Sequence, residues 1–462
     1  MSSVVQSCSE FGINTGRCSI ERSLKTTTSV GRDLMLGGGL VLSFATQLRF
    51  GSLPIGPGEV CLIAGLGWEG ATILTDREAH TTPIFWKLAA FWAVFAMSEM
   101  LGFTVGGIIG DLRDTGLVVH DAMTFPLLAG LSLMISRGPD SAERINRLLF
   151  AVVGFAGALA VMELVGAAAL FNLPGVDPWY WDRLRGWASN PNQLALACLL
   201  SAGLGVEVVG LARSIVGRTL GSITIAAAIL AGFLTQTNAF NLAIAAAMAL
   251  AIGLASGRAV LSANTTATRR CLALLVLIGL PIVGATVLPY SLSLASPPWA
   301  KFGVSRDGAN TNDEAEVRLE LWGGAVTRGI ESGLLGLGPG PHLPIPSLLL
   351  EARRSVPSEP INIQHPSPGA APNFESHNSF LELFLQGGLL AVGSFVVLAE
   401  TALVSALKAG RTTLFATILG MLLFGSFHVV TRHPAVWFTL TLGLAARHPE
   451  KTRSDLGLKG RQ

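Results

Sequence analysis

Charged residues are scarce in this sequence of 462 residues. Asp, Glu, Lys and Arg together make up 13% of the chain, and half of all residues are hydrophobic. An ordinary soluble domain carries roughly 25% charged residues. A soluble protein of this length could not cover its surface with so few charges, so the composition excludes that class. The net charge of +2 gives no indication of nucleic-acid binding.

Cysteines are also few, and their positions do not suggest a disulfide framework. Cys8 and Cys18 lie in a polar N-terminal segment, while Cys61, Cys198 and Cys271 fall within apolar runs. The first 33 residues are polar and precede the first apolar run. We therefore expect no cleavable signal peptide.

Apolar runs of about 20 residues recur along most of the chain, long enough for a helix to cross a bilayer. Lipid cannot hydrogen-bond to free backbone groups, so such runs must be helical. We expect an all-α polytopic membrane protein with about 12 transmembrane helices, nine in 34–289 and three in 380–446. The predicted spans are 34–48, 54–74, 84–110, 117–135, 148–171, 193–212, 219–234, 239–255, 271–289, 383–406, 412–430 and 434–446. The pair 219–255 is tight enough to be a broken or re-entrant element.

The distribution of Lys and Arg predicts the orientation. With the N-terminus in the cytoplasm, most Lys and Arg of the short connections and tails lie on the cytoplasmic side. Both tails, 1–33 and 447–462, are then cytoplasmic. The long connection 290–379 faces away from the cytoplasm.

The predicted outward loop 290–379 contains 11 of the 23 prolines, but it is more than a linker. Thr311 and Glu314 have capping-box spacing, and the residues that follow, from Asp313 to Ser332, have a helical pattern. On that helix Arg318 and Trp322 share a face. A turn-forming, glycine-rich segment at 336–340 follows, with an approachable backbone.

His377 stands directly before the next predicted membrane helix, in which Ser379 and Glu382 are spaced as a capping box. A helix N-terminus suits a phosphate and disfavours a protonated imidazole. Arg318 offers a planar fork for phosphate oxygens. The two residues therefore predict a group-transfer site, although a solvent-facing His377 and an Arg318 paired with Glu314 are the plainer alternatives.

Several short motifs in this region resemble the signature of the O-antigen ligase and polymerase superfamily, bacterial membrane glycosyltransferases of the GT-C type. They are Arg318-Leu319-Glu320-Leu321-Trp322, Gly336-Leu337-Gly338-Pro339-Gly340, His377-Asn378-Ser379-Phe380-Leu381-Glu382 and Gly387-Gly388-Leu389-Leu390, with Arg185-Gly186-Trp187 and Asn190-Pro191-Asn192-Gln193-Leu194-Ala195 upstream. The resemblance extends over roughly residues 30–446 and implies a GT-C-like fold.

The resemblance implies transfer of a glycan from a polyprenyl diphosphate, usually undecaprenyl, to an acceptor hydroxyl outside the inner membrane. The acceptor is the lipid A core of lipopolysaccharide in the ligases and a lipid-linked repeat unit in the polymerases of O-antigen or exopolysaccharide. No metal or cofactor is implied. The expected partners are donor, acceptor and membrane lipids, with a chain-length regulator in addition and no nucleic acid.

By position, His377 matches the catalytic histidine of the family and Arg318 its loop arginine. The residues assigned to substrate binding are Arg185, Asn190, Asn192, Asn238, Trp322, Asn378 and Arg432. One departure is Asn238, which stands where the family commonly has an arginine. Either Arg185 or Arg432 compensates, or catalysis is weakened, or the substrate differs. Asn190 and Asn192 have capping of a helix as an equal alternative.

Other classes of protein remain open at this level. A transporter or flippase also has about a dozen helices, although the late position of the long loop breaks the two-halves pattern of such proteins. A non-catalytic assembly subunit is the third class, because of Asn238. His120, Asp121 and His428 are expected to be packing or interface residues rather than ligands. Acidic residues in or near spans invite a functional assignment; they are Glu59, Glu69, Glu99, Glu163 and Glu207.

Overall fold

The computed structural model describes most of the predicted membrane region but not the tails. The described residues are 30–50, 55–75, 81–111, 115–138, 140–171, 173–180, 182–261, 311–347 and 374–446, with single positions at 266, 268 and 271. Nearly all of the predicted span 271–289, both ends of the chain and the remainder of the predicted loop 290–379 lie outside them, as do the side chains of Thr311 and Glu314.

The described part of the chain is almost entirely helical. Residues 30–42 form α1. The other helices are α2 (Pro57–Thr75), α3 (Pro83–Ile108), α4 (Thr115–Ser136), α5 (Ser141–Ala167), α6 (Pro191–Leu211), α7 (Ile215–Leu234), α8 (Asn238–Leu261), α9 (Thr311–Glu331), α10 (Ser379–Lys408), α11 (Thr412–Gly425) and α12 (Pro434–Leu444). A short 3-10 helix spans Thr46–Leu48, and a two-stranded antiparallel sheet pairs β1 (Trp179–Tyr180) with β2 (Arg183–Leu184).

Seven of these helices are long and apolar enough to cross a membrane, namely α3, α4, α5, α6, α7, α8 and α10. Helices α11 and α12 are apolar but shorter. The structure thus confirms an all-α polytopic membrane protein, while the number of 12 spans stays a prediction. Helices α7 and α8, the pair considered for a re-entrant element, are two complete helices of 20 and 24 residues.

The helices pack in a bundle, with α6 against α7, α3 against α10, α5 against α7 and α8 against α11. Small residues bring α6 and α7 close together, since a Cβ atom built on Gly221 would lie 2.9 Å from the carbonyl oxygen of Gly205. Aromatic rings fill the centre, where the ring centroids of Trp92 and Trp437 are 4.4 Å apart. These contacts fix the helix ends that carry the site.

Helix α10 is broken at Gly387 and Gly388, whose backbone angles are not helical. The segment after α9 supplies hydrogen bonds that fill the break: Leu337 N to Leu385 O (2.6 Å), Gly338 N to Gln386 O (2.8 Å) and Leu389 N to Leu334 O (3.0 Å). Gly336, Gly338 and Gly340 have positive φ angles there. The glycine-rich segment is therefore a structural insert against α10.

The acidic residues in or near the spans mostly have structural partners. Glu69 pairs with Arg32 and Arg144, Glu207 with Arg411, Glu163 accepts from Trp187 N, and Glu59 accepts from Gly56 N. Both carboxylate oxygens of Glu99 are buried without a hydrogen-bond partner among the described residues. Ion pairs or hydrogen bonds therefore explain the presence of four of the five acidic residues, and Glu99 is the exception.

Candidate functional site

Polar and charged side chains converge at one end of the bundle. The N-terminal ends of α6, α8, α10 and α12 lie there, together with the C-terminal ends of α7 and α11, because successive helices run in opposite directions. The β1–β2 hairpin and the amphipathic helix α9 lie at the same end, through the contacts given below. Residues far apart in sequence therefore meet at this end.

His377 is the residue before the N-cap of α10, and its φ angle of +50° lies in the left-handed region. Its neighbours fix it on both sides. Ser376 donates from N and Oγ to Glu382 Oε2, at 2.9 and 3.0 Å, and the Oδ1 atom of Asn378 accepts from the N–H groups of α10. A strained conformation of this kind persists only where the surroundings impose it, and such residues cluster at functional sites.

The predicted capping box of Ser379 and Glu382 is wrong. The N-cap is Asn378, whose side chain already accepts from Phe380 N and Leu381 N. The hydroxyl of Ser379 instead donates to the carbonyl oxygen of His428 at 2.7 Å and accepts from Val430 N at 2.9 Å. Ser379 thus ties α10 to the loop between α11 and α12.

The structure favours a neutral His377, as the sequence predicts, but for a different principal reason. Burial lowers the pKa of His377 below its ordinary value of 6.5; the Glu375 carboxylate opposes this shift and the Arg318 guanidinium adds to it. A half-buried imidazole beside an arginine, with its pKa lowered, is mostly uncharged at neutral pH. It can therefore accept a proton.

Arg318 and Trp322 lie on one face of α9, as predicted, and both contact Phe427. The Nη1 atom of Arg318 donates to Phe427 O at 3.4 Å, and its guanidinium lies 5.8 Å from the ring centroid of Phe427. The ring of Trp322 lies 6.4 Å from the same ring. Its Nε1 atom is buried without a hydrogen-bond partner among the described residues.

His428 follows Phe427 directly and lies close to two arginines. Burial lowers its pKa to about 3, and the positive charges of Arg318, of His377 when protonated, and of Arg183 add to this shift. Its Nε2 atom is buried without a hydrogen-bond partner within the described part of the chain. The sequence predicts a packing or interface role for His428, but this residue lies close to the predicted site residues Arg318 and His377 and to Arg183.

Arg183, on strand β2, was missed by the sequence analysis. Its Nε donates to Thr235 O at 3.0 Å, and its Nη2 donates to Thr237 Oγ1 at 3.1 Å and to Asn192 Oδ1 at 3.2 Å. The guanidinium therefore reaches the turn that leads into Asn238, the position without the expected arginine. Arg183 stands two residues before Arg185, and spacing alone could not choose between them.

Two other predicted residues make local contacts. Arg185 pairs with Asp177 at 3.1 Å, and its guanidinium lies 5.7 Å from the ring centroid of Tyr180. Asn190 caps α6, since its side chain accepts from Asn192 N at 2.8 Å. Capping is thus shown for Asn190, while Asn192 takes part in the Arg183 contacts.

Arg432 lies in a buried group of carboxylates. Its Nη2 bonds to Asp121 Oδ2 at 2.8 Å and to Glu382 Oε1 at 3.4 Å, and its Nη1 pairs with Glu375. Burial would lower the pKa of Arg432, but these three carboxylates raise it above its ordinary value. Its charge is balanced within the protein.

No group of three or more His, Cys, Asp and Glu side chains is placed to hold a metal ion in the described ranges.

Residues 223–396 match the family model of the O-antigen ligase. The match contains Asn238, Arg318 and His377 and confirms the resemblance to the O-antigen ligase and polymerase superfamily. It supports a membrane glycosyltransferase activity with lipid-linked glycan and acceptor as substrates. No curated protein matches the chain.

Proposed function

We propose that this protein transfers a glycan from a polyprenyl diphosphate, undecaprenyl in bacteria, to a sugar hydroxyl on the outer side of the inner membrane. The observation that carries the proposal is the convergence of a neutral His377 with Arg318 and Arg183, which come from three separate segments. A neutral imidazole suits an incoming hydroxyl. Guanidinium groups suit a diphosphate.

In this scheme His377 takes the proton of the acceptor hydroxyl as its oxygen bonds to the anomeric carbon of the donor glycan. The bond between that carbon and the diphosphate oxygen breaks, and its electron pair leaves with the carrier. The leaving polyprenyl diphosphate gains one negative charge. Arg318 and Arg183 stabilise this charge in a site where water is partly excluded.

Arg183 takes the place of the arginine that is missing at Asn238. It reaches the same turn through Thr235 and Thr237, whereas Arg185 is paired with Asp177. Arg432 holds Glu375 and Glu382 on either side of His377 and so positions the base instead of binding the donor.

The test is transfer by the purified protein in nanodiscs, with lipid-linked glycan as donor and a sugar acceptor. We expect an extended or attached glycan, release of polyprenyl diphosphate, and activity that survives EDTA. Movement of the donor across proteoliposome membranes without any transfer product would support a transporter instead. Loss of activity on chelation that a divalent metal restores would contradict the arginine-based scheme.

The glycan that accumulates in a deletion strain distinguishes the two possible acceptors. A polymerase is expected to leave single repeat units, and a ligase to leave full-length polymer unattached to lipid A. Either result fits the same site, because both acceptors present a hydroxyl to His377.

A further inference from the structure

Helix α9 presents three different surfaces. One face packs against the bundle through Leu321 and Ala325, which are buried. A second surface is an exposed apolar stripe formed by Leu319, Val326 and Ile330; Leu319 is 65% exposed and Ile330 60%. Their spacing of seven and four residues places them on one line along the helix. Exposed polar residues form the third surface, at Glu316, Glu320, Thr327 and Glu331.

The apolar stripe continues onto the surface of the membrane bundle. Leu334 and Leu335, just beyond α9, are exposed, as are Leu389 and Leu390 in α10. The hydrogen bond from Leu389 N to Leu334 O joins the two pairs. From Leu389 the second part of α10 runs 20 residues to Lys408, about 30 Å of helix, the thickness of a bilayer core.

We infer that α9 lies along the bilayer surface at the site end of the bundle, with its apolar stripe inserted among lipid acyl chains. The occupant of the stripe is lipid because the stripe is continuous with the exposed surface of a membrane-spanning helix. The adjacent acidic and hydroxyl side chains then face water. A helix with apolar and polar surfaces on adjoining sides is the pattern of interfacial helices.

The contacts of α9 with the bundle fix its depth. Arg328 pairs with Asp111 at the end of α3, and Gly329 lies against the ring of Phe384 in α10. Arg318 is adjacent to Leu319 and so lies at the level of the lipid headgroups. There it meets the diphosphate of a donor whose carrier remains in the membrane. This consequence rests on the proposed function; the lipid contact of α9 does not.

The experiment places nitroxide labels on single cysteines in nanodiscs and measures their accessibility to oxygen, which partitions into lipid, and to a water-soluble nickel chelate. The labelled positions are Leu319, Val326 and Ile330, with Glu316, Glu320 and Thr327 as matched controls on the same helix. The background has Cys8, Cys18, Cys61 and Cys271 replaced, and the buried Cys198 is retained.

The stripe positions should favour oxygen over the chelate by at least about tenfold relative to the controls. High chelate accessibility at the stripe would place it in water, and low accessibility to both reagents would mean that protein covers it; either result overturns the inference. Lipid contact at the stripe together with an unimpaired His377→Ala variant would keep the inference and reject the proposed function.

Discussion

The arginines around His377 differ in what they face. Arg432 bonds to three carboxylates, so its charge is balanced inside the protein. Arg183 donates to oxygens of Thr235, Thr237 and Asn192. An anionic leaving group at Arg432 would compete with the existing ion pairs, which favours a positioning role for Arg432.

Arg318→Lys and Arg183→Lys should each weaken donor binding by about 10- to 100-fold. An ammonium keeps the charge but loses the planar fork, and one lost charged hydrogen bond costs about 1.5–3 kcal/mol. The matched control is Arg185→Lys, which changes an arginine paired with Asp177. The measurement is the affinity for lipid-linked donor. A large effect in the Arg185→Lys control with none at 318 or 183 would assign diphosphate binding to Arg185 instead.

The pH dependence of turnover should follow the protonation of His377. Because its pKa is lowered from 6.5, the base is neutral above that lowered value and gains a proton below it. Turnover should therefore be flat near pH 7 and fall only on the acidic side of 6.5. The inflection should vanish in His377→Ala, measured at saturating donor. An inflection above pH 7 would mean that His377 is charged at rest and is not the base.

At the scale of elements, the break in α10 depends on glycine. Gly388 has a φ of +63°, and a Cβ atom there would overlap the carbonyl oxygen of Leu334. The hydrogen bonds across the break connect the first turns of α10, which carry Glu382, to the segment after α9. The break thus holds the His377 and Arg318 segments in one arrangement.

Gly388→Ala should lower thermal stability in detergent by an amount equivalent to about 1–3 kcal/mol or more and reduce transfer, because Ala cannot adopt this conformation without strain. Gly393→Ala is the matched control on the same helix, since a Cβ atom there meets nothing within 4 Å. Equal stability of the two variants would show that the break tolerates a side chain.

The sequence predicts elements better than their ends. Apolar runs locate α3 to α8 because lipid requires continuous helices. The cap of α10 was misplaced because Asn378 and Ser379 are both good N-cap residues, and only the turn geometry chooses between them. The break at Gly387 and Gly388 is invisible to hydropathy, since glycine pairs also occur within intact membrane helices.

At the scale of the whole molecule, the candidate site lies at the end of the bundle opposite the predicted cytoplasmic end. The predicted cytoplasmic end holds the ion pair of Arg144 with Glu69, and the site end holds Arg183, Arg318 and His377 together with the ion pairs of Arg432. His377 and Arg318 could be found from one stretch of sequence. The position of Arg183 in the site could not be predicted from the sequence, because its contact with Thr237 joins residues that are 54 positions apart.

Single cysteines introduced at the exposed positions Pro344 and Asp140 test the orientation of the bundle in the membrane. A membrane-impermeant maleimide added to spheroplasts should label position 344 and reach position 140 only after lysis. The reverse pattern would put the site on the cytoplasmic side and remove the outward acceptors from consideration.

The most direct measurement of the central claim separates donor binding from turnover in His377→Ala. With expression and folding matched to the unmodified protein in nanodiscs, single-turnover transfer should fall by about 10²- to 10⁴-fold, the usual contribution of a general base. Affinity for the lipid-linked donor should stay within about threefold, because Arg183 and Arg318 hold the diphosphate. Unimpaired transfer in this variant would contradict the assignment of His377 as the base and with it the mechanism.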